Sequence, residues 1–310
     1  MASHIHLVPE TPNKIATRGR RHAPPSIIGI ALAAPSLLIF VGLVAVPVAS
    51  VILTSFTHWT GFSLDNISWL GFDNYAGLIY DPIFRKALFN TLLFTLVTTL
   101  LLNLVGFGLA VLIDTRVPGT RLLKAVLFLP VLLSPVVVGL MWSNLLRGVG
   151  GGLNNLLSAI GVINQPIFWL GDPHFALPAI ILATIWQFAG YDMILYYAGL
   201  QNVPVTLLEA AKLDGANYLN QIRHIVIPAL YPVISVVMLL NIIGGLRIFD
   251  IVYVMTRGGP NRATEVLATY MYEQGFQLNA MGVASAIAVI IIFLAIIVAV
   301  VRLRALRHVE

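Results

Sequence analysis

The chain contains 310 residues, of which 58% are hydrophobic and only 10% are charged, and its mean hydropathy is +0.90. This composition excludes an ordinary soluble globular protein and indicates a chain that crosses a membrane several times. Cysteine is absent, which excludes disulfide frameworks, thiolate metal sites and cysteine nucleophiles. The formal net charge is +5, but the basic residues lie at the ends of apolar runs and form no patch interleaved with aromatic residues, so no nucleic-acid partner is expected.

Residues 1–26 form a polar segment, predicted to be a cytoplasmic tail, with four basic residues ahead of the first apolar run. That run, Ile27–Thr54, has 28 residues without a charge. It is longer than the apolar core of a cleaved signal peptide and long enough to cross about 30 Å of hydrocarbon. The sequence therefore predicts a first transmembrane span that is retained in the protein.

Five more apolar runs follow, and each can supply the roughly 20 residues that a transmembrane helix needs. A transmembrane barrel would instead show alternating segments of about ten residues. The predicted fold is therefore all-α, with six transmembrane helices in a domain of residues 27–304 and a cytoplasmic tail at residues 305–310. The five runs are Ala87–Ile113, Ala125–Leu146, Phe175–Tyr191 with its continuation past Asp192, Ile225–Leu246 and Gln274–Val301.

The distribution of Lys and Arg predicts the orientation of these spans. With the N-terminus in the cytoplasm, the cytoplasmic segments hold 12 basic residues and the opposite segments hold 6. This asymmetry favours both termini in the cytoplasm. The same orientation places a polar loop at residues 204–228 on the cytoplasmic side.

That loop has the pattern of two short helices. Pro204 has the fixed φ of a helix start, and Gly215 can take the left-handed conformation that ends a helix. Asn217 is a suitable N-cap for a second helix, which is predicted to run as far as Pro228. The pattern predicts a glycine elbow between the helices; an ordinary helical hairpin between spans is the alternative to a docking element. The apolar face of the second helix is predicted to contain Leu219, Ile222 and Val226.

Span four carries an acidic residue, Asp192. An acidic residue costs about 2.5–3.5 kcal/mol at the centre of a membrane helix and should face the bundle interior or water. Gln187 and Tyr191 could join it in a surface for sugar hydroxyls and C–H groups, whereas a structural Asp192 that pairs with a neighbouring helix is the alternative. In span five, Asn241 is the lone amide of an apolar run, and Gly245 allows close backbone approach.

Span three contains Pro130 and Pro135. A proline inside a membrane helix frees backbone carbonyls, so a kinked helix that lines a pathway and a simple packing distortion are both consistent with the sequence. The glycines at residues 148–152 predict a flexible loop. No Lys-Ser/Thr pair follows them, and the chain has no Walker-type nucleotide loop. Energy for active transport would therefore come from a partner or an ion gradient.

The segment after span five begins with two opposite charges. Arg247 and Asp250 are three residues apart, a spacing that brings side chains together on one face of a helix. The sequence predicts a mutual ion pair at the outer end of this span.

The sequence predicts no active site and no metal site. The 13 acidic residues form no membrane-embedded pair, and the 7 histidines show no zinc spacing. Hydrolase motifs of the GxSxG and HExxH kinds are absent.

Several segments resemble the binding-protein-dependent permeases of ABC transporters. The most specific is the loop signature Glu209–Ala211 with Gly215 after it and Ile227-Pro228 at its end. The segments APSLLIF, SFTHW, GFDNY, FDIVYVMTRGGP and GVASAIAV also resemble carbohydrate-uptake permeases of the maltose and glycerol-3-phosphate type. The resemblance covers nearly everything from residue 34 to the sixth span.

This resemblance implies site residues. In the family the loop is cytoplasmic and docks into a cleft of the ATPase subunit, and sugar permeases place substrate contacts at positions that match Gln187, Gly190 and Tyr191. The expected ATPase-coupling residues are Glu209, Ala210, Ala211, Asp214 and Gly215. The expected pathway residues, with those from the spans, are Gln187, Gly190, Tyr191, Asp192, Asn241 and Gly245.

The resulting hypothesis is a permease subunit of an ABC importer in the bacterial inner membrane. It would be no enzyme and would bind no cofactor, because the partner subunits bind ATP. The implied partners are a second, related permease, two ATPase subunits and an extracytoplasmic binding protein that delivers a sugar or a related polyol. Two alternatives are a gradient-driven secondary transporter that uses Asp192 and a membrane scaffold without a pathway.

Overall fold

The structure is a computed structural model that describes residues 27–307, except for residues 62, 64–66 and 116–118. The predicted tail at residues 1–26 lies outside the described residues, as do residues 308–310. The described chain separates into two units, one ending at Ala49 and the other beginning at Ser50.

The first unit is one apolar helical stretch. It contains α1 (Ile27–Phe40), a π-helical turn at Val41–Ala45 and the start of α2 (Val46–Thr54). Most of its large apolar side chains between residues 37 and 48 are exposed. Ala34–Thr54 provides 21 helical residues of high hydropathy, enough for the first predicted span.

The second unit is almost entirely helical. Its two short strands, β1 (Thr57–His58) and β2 (Ser68–Trp69), pair antiparallel with Thr57 opposite Trp69. Non-α helical turns occupy Leu129–Leu132, Ile222–Val226 and Glu273–Gln277. The α-helices are α3 (Asp73–Tyr80), α4 (Pro82–Asp114), α5 (Thr120–Phe128), α6 (Pro135–Leu145), α7 (Gly152–Ala159), α8 (Pro173–Leu200), α9 (Val205–Leu213), α10 (Tyr218–Gln221), α11 (Ile227–Ala229), α12 (Tyr231–Leu246), α13 (Asp250–Thr256), α14 (Leu267–Tyr272) and α15 (Met281–Arg307).

The two longest buried helices begin with the same local sequence pattern. The Asp81 side chain accepts a hydrogen bond from Ile83 N at 2.8 Å, and Pro82 is the first residue of α4. At α8, Asp172 accepts from His174 N at 2.8 Å, and Pro173 takes the equivalent place. An Asp N-cap followed by proline satisfies one free backbone donor and presets φ for the helix.

Two of the six predicted spans are broken rather than straight. Within the described residues, four helices are long and apolar enough to cross a membrane alone, and counting each of two bent pairs as one span gives six. Residues 120–132 and 135–145 meet at 97°, and residues 218–229 and 231–246 meet at 71°. The first break lies at Ser134, which has an extended backbone and caps α6 in front of Pro135. Of the two interpretations of the prolines, a sharp break at Pro135 is the observed one.

The core of the second unit is built mainly around α4 and α8, whose buried faces share small and branched residues. The outward face of α4 instead carries exposed leucines such as Leu96 and Leu104, as a lipid-facing surface requires. Three apolar clusters fill the interior, and their central residues are Phe94, Val138, Ile180 and Ile251 in the first, Leu78, Phe84, Leu267 and Ile287 in the second, and Ala110, Met193, Tyr196 and Val237 in the third.

The segment between α6 and α8 is held by one buried amide. Asn154 Nδ2 donates to Gly148 O at 2.7 Å and to Ile167 O at 2.9 Å, and its Oδ1 accepts from Trp169 Nε1 at 2.9 Å. The ring of Phe168 lies directly against Gly148. Gly148 and Gly151 therefore permit close packing, whereas the predicted flexibility of the loop stays a prediction.

A second polar network fixes the segment between α13 and α15. Arg262 donates to Glu265 Oε2 at 2.9 Å and to Glu273 Oε1 at 2.7 Å. Glu265 is buried, and its other oxygen accepts from Thr269 at 2.6 Å. The bond from Arg262 holds the pKa of the Glu273 carboxyl below its ordinary value, against the opposing effect of partial burial.

Candidate functional site

A cavity of about 410 Å³ opens in the second unit between α4, α6, α8, α12 and α13. Its volume falls within the range of about 300–1,000 Å³ for small-molecule sites. The wall combines hydroxyl and amide groups with aromatic rings. The polar lining residues are Thr98, Thr184, Gln187, Tyr191, Asn241, Arg247 and Asp250, and the rings are those of Phe94, Phe188, Phe249 and Tyr191.

Gln187 joins the cavity to the broken helix pair. Its side chain is only 1% exposed, and Nε2 donates to Leu133 O at 2.9 Å. The chain bends sharply between this carbonyl and α6, which begins at Pro135, and the amide of Gln187 supplies the donor for it. Gln187 Oε1 accepts no hydrogen bond from any residue that the structure describes. The amide therefore has one anchored end and one free acceptor.

Tyr191 lines the cavity one helical turn further along α8. Gly190, its neighbour, faces the segment before the break instead: a Cβ at this position would lie 1.9 Å from Leu127 O. Only glycine allows α8 and the end of α5 to approach this closely.

Asp192 lies behind the cavity wall rather than on it. It is 1% exposed, and its Oδ2 accepts a hydrogen bond from Asn241 Nδ2 at 2.6 Å. Asn241 itself lines the cavity, as does Gly245 one turn further along α12. In the structure Asp192 is therefore buried and pairs with a neighbouring helix. This is the second of the two arrangements that the sequence allowed.

The predicted ion pair between Arg247 and Asp250 is wrong. The two residues do not share a helix, because α12 ends at Leu246 and α13 begins at Asp250. Both side chains are exposed and both line the cavity, while the ion pairs among the described residues lie elsewhere. The spacing in the sequence predicted that these two charges pair with each other, whereas in the structure both line the cavity.

The sequence analysis also missed the threonine hydroxyls on the buried face of α4. Thr91, Thr95, Thr98 and Thr99 are all buried, and their spacing places them on one face of the helix. A polar stripe of this kind in an apolar helix is a detectable signal for an interior face.

The loop after α8 forms the predicted elbow. Gly215 has φ +79°, Gly215 N donates to Lys212 O at 3.1 Å, and Ala216 N donates to Ala211 O at 2.8 Å. These are the two bonds of a Schellman helix end, which requires a left-handed residue. The Asn217 side chain then accepts from Asn220 N at 2.8 Å and caps α10. The sequence prediction of a glycine elbow with an asparagine cap is confirmed.

The surface of the elbow is largely unpacked. None of the residues of α9 is buried, and Leu213 is 90% exposed. Glu209, Ala210, Asp214 and Gly215 are exposed, and Ala211 is half-buried. Of the predicted apolar face of the second helix, Val226 is buried, Ile222 is half-buried and Leu219 is 71% exposed. The helical path continues one residue past Pro228 before it turns.

Comparison with known proteins decides the family. Residues 118–307 match the family described as binding-protein-dependent transport system inner membrane component. The chain belongs to this family. It is a multi-pass membrane protein and a permease subunit of an ABC importer.

Relatives of this permease extend the likeness over nearly the whole chain. The probable ABC transporter permease protein YurN of Bacillus subtilis (strain 168) is 32% identical, with 86% of this chain and 92% of the relative covered. The arabinooligosaccharides transport system permease protein AraP of the same organism is 32% identical over 87% of this chain and 86% of its own length. Among solved structures, a bacterial ABC transporter involved in the import of the acidic polysaccharide alginate is similar with a TM-score of 0.76, 26% identity, and coverage of 91% of this chain and 94% of the other.

The predicted site residues of the permease occupy three places. Gln187, Tyr191, Asn241 and Gly245 line the cavity, whereas Gly190 and Asp192 pack behind it. Their roles in transport remain predictions, as do the coupling roles of the elbow residues. Among the residues that the structure describes, no group of three or more His, Asp or Glu side chains is placed to hold a metal ion.

Proposed function

We propose that this permease carries a carbohydrate through the cavity between α4, α8 and α12. The observation that carries the proposal is the chemistry of the wall: amide and hydroxyl groups stand beside the rings of Phe94, Phe188 and Phe249. Sugars need polar groups for their hydroxyls and apolar ring faces for their C–H surfaces. The names of AraP and of the alginate transporter point to the same class of substrate.

The proposed assembly contains a second, related permease, two ATPase subunits and an extracytoplasmic binding protein. The chain has no Walker-type loop, so ATP hydrolysis must be supplied by the partners. The excess of basic residues in the predicted inner segments, 12 against 6, supports cytoplasmic termini and a cytoplasmic elbow.

In this proposal the elbow converts ATPase closure into movement of the spans. α9 offers an exposed acidic side chain at Glu209, which is suited to a charge-assisted hydrogen bond with a basic group of the ATPase. Gly215 and Asn217 fix the angle between α9 and α10, so force on α9 is transmitted to α12 through the bent pair. ATP binding needs only to shift the balance between inward-open and outward-open conformations.

A secondary transporter that uses Asp192 as an ion site is disfavoured. The carboxylate lies behind the wall, and its oxygen is already engaged by Asn241. An ion site in a transport pathway requires access to the cavity.

The test is uptake by the assembled importer in proteoliposomes. The complex is purified through a tag on this permease and supplied with its binding protein and a labelled panel of maltose, trehalose, lactose and arabinotriose. We expect co-purification of an ATPase and a second permease, and uptake of at least one of these carbohydrates that requires ATP. Uptake by this chain alone under a proton or sodium gradient would contradict the proposal, as would ATP-dependent uptake confined to non-carbohydrate solutes.

A further inference from the structure

Two amides in the cavity wall share an unusual arrangement. Gln187 donates its Nε2 to Leu133 O, and Asn241 donates its Nδ2 to Asp192 Oδ2. An amide is planar and carries its oxygen opposite its NH₂ group. In each side chain the donor end is therefore held by the protein, and the oxygen of Gln187 is buried without a partner among the described residues.

The direction of the second bond is fixed by the chemistry of its partner. An ionised carboxylate can only accept hydrogen bonds, whereas an amide can present either end. The orientation of an amide follows from its hydrogen-bond partners. Asp192 therefore selects the rotamer of Asn241 in which the NH₂ group points to α8.

Tight packing keeps Asp192 in this place. A Cβ on Gly106 would lie 2.5 Å from Asp192 Cβ, so α4 approaches the aspartate backbone directly. This contact fixes the position of the Asp192 backbone and Cβ against α4. The carboxylate is thus a rigid support, while Asn241 reaches the cavity.

We propose that Asp192 is a positioning residue: it orients Asn241 so that the carbonyl oxygen of this amide faces the cavity and accepts a hydrogen bond from a ligand hydroxyl. This inference rests on the proposed function and sharpens it. At Asn241 the wall then selects a ligand that offers a hydroxyl donor, and it disfavours a ligand that offers only an acceptor there. An isolated carboxylate inside the bundle is retained because it fixes the polarity of the wall.

A matched control lies one helical turn further along the same helix. The Tyr196 hydroxyl donates to Asn103 Oδ1. This bond joins α8 to α4, whereas the bond between Asp192 and Asn241 joins α8 to α12, and neither Tyr196 nor Asn103 lines the cavity. Tyr196→Phe removes a buried bond between helices without touching the wall. Asp192→Asn keeps the size of the side chain and a hydrogen-bond partner for Asn241, but it no longer fixes the direction of the amide.

The first measurement compares the two variants in the assembled importer, with the carbohydrate of the panel that the wild type takes up fastest. Asp192→Asn is expected to raise the KM for uptake about fivefold to tenfold, because one oriented hydrogen bond to the ligand is lost. Its Vmax should stay within about twofold of the wild-type value. Tyr196→Phe is expected to leave KM unchanged. Equal KM values for the two variants, or a fall in Vmax alone in Asp192→Asn, would overturn the inference.

The second measurement needs no transported ligand. Asn241→Asp places two carboxylates in contact and is expected to lower the melting temperature of the purified permease complex by several degrees, because like charges in a buried site repel. The exchange variant Asp192→Asn with Asn241→Asp restores a donor facing an acceptor and is expected to recover at least half of the loss. A wild-type melting temperature for Asn241→Asp, or no recovery in the exchange variant, would overturn the inference. Absence of carbohydrate uptake by the wild type would instead refute the proposed function and leave this measurement to decide the direction of the bond.

Discussion

The elbow after α8 and the wall of the cavity are built in opposite ways. The elbow consists of consecutive residues with no buried side chain in α9, and its shape comes from backbone bonds around Gly215. The cavity wall brings together five helices that are far apart in the sequence, and its key amides are fixed by buried partners. The elbow has a fixed shape and an unpacked surface, whereas the amides of the wall are held by contacts between different segments of the described chain.

The largest expected effect tests the elbow. Gly215→Val should reduce ATP-driven uptake about tenfold or more, because a left-handed residue with a β-branched side chain costs at least roughly 1–2 kcal/mol and the Schellman bonds are lost. The melting temperature of the complex should change little, because the strain can be relieved locally in an elbow whose helix α9 has no buried residue. The measurement is uptake in proteoliposomes alongside a thermal unfolding curve.

Gly215→Asn is the matched control for this variant. Asparagine tolerates the left-handed conformation far better than valine, so most of the uptake should remain. Wild-type uptake by Gly215→Val would show that the angle of the elbow does not matter.

This contrast also explains what the sequence could predict. The elbow was predictable because helix ends obey local rules: Gly215 and Asn217 specify the turn within three residues. The apolar lengths likewise predicted up to six spans, but they could not predict the 97° and 71° breaks. Hydropathy gives the length of an apolar run but not the direction of the helix within it. Pro135 alone did not distinguish a kinked helix from a packing distortion.

The cavity wall was harder to predict because its contacts are not local. The sequence singled out Asn241 and Asp192 separately, but their 2.6 Å bond joins residues 49 positions apart. It paired Arg247 with Asp250 from their spacing, since it could not show that α12 ends between them. Residues whose roles depend on neighbours in space require the packed structure.

The second expected effect tests the packing behind the wall. Gly190→Leu should destabilise the permease by about 1–3 kcal/mol or more, the usual cost of overpacking, because a Cβ there would lie 1.9 Å from Leu127 O. This oxygen belongs to the backbone and cannot turn aside as a side chain would. The check is the free energy of unfolding in detergent.

Gly108→Ala provides the comparison, since Gly108 is an exposed helical glycine and a methyl group there would meet no atom within 4 Å. It should be neutral or slightly stabilising. If both variants unfold alike, the close approach of α8 and α5 is not real.

A smaller effect on the melting temperature should appear in the segment between α13 and α15. Like the wall, this segment is fixed by hydrogen bonds between side chains. The Glu273 pKa lies below its ordinary value of 4.5 because of Arg262. A lowered pKa stabilises the folded state above the ordinary value, and the stabilisation is lost as the pH falls through the folded pKa. The melting temperature of the wild type should therefore drop more steeply between about pH 5 and pH 3 than that of Arg262→Met.

Arg257→Met is the control for this pH profile, because Arg257 is exposed and belongs to none of the ion pairs among the described residues. Its profile should run parallel to that of the wild type. Parallel profiles for all three proteins would mean that the network does not contribute to stability.

The smallest effect should be confined to one hairpin. Asn154→Ala removes the amide that joins Gly148, Ile167 and Trp169, at a cost of about 1–3 kcal/mol to local opening. Amide hydrogen exchange across residues 148–170 should accelerate, while exchange in α8 stays as in the wild type. Asn155→Ala, at the exposed neighbouring position, should leave both unchanged, and equal acceleration in the two variants would refute the role of Asn154.

The central claim is that an exposed cytoplasmic elbow contacts an ATPase subunit, and cysteine labelling tests it most directly. The chain contains no cysteine, so Leu213→Cys at the elbow and Val149→Cys in the hairpin after α6 each report from one site. With a membrane-impermeant maleimide, Leu213→Cys should react only in inside-out vesicles and become protected when the ATPase subunits are bound. Val149→Cys should react only in right-side-out vesicles, with or without the ATPase. Labelling of Leu213→Cys from the outside, or equal labelling with and without bound ATPase, would contradict the account.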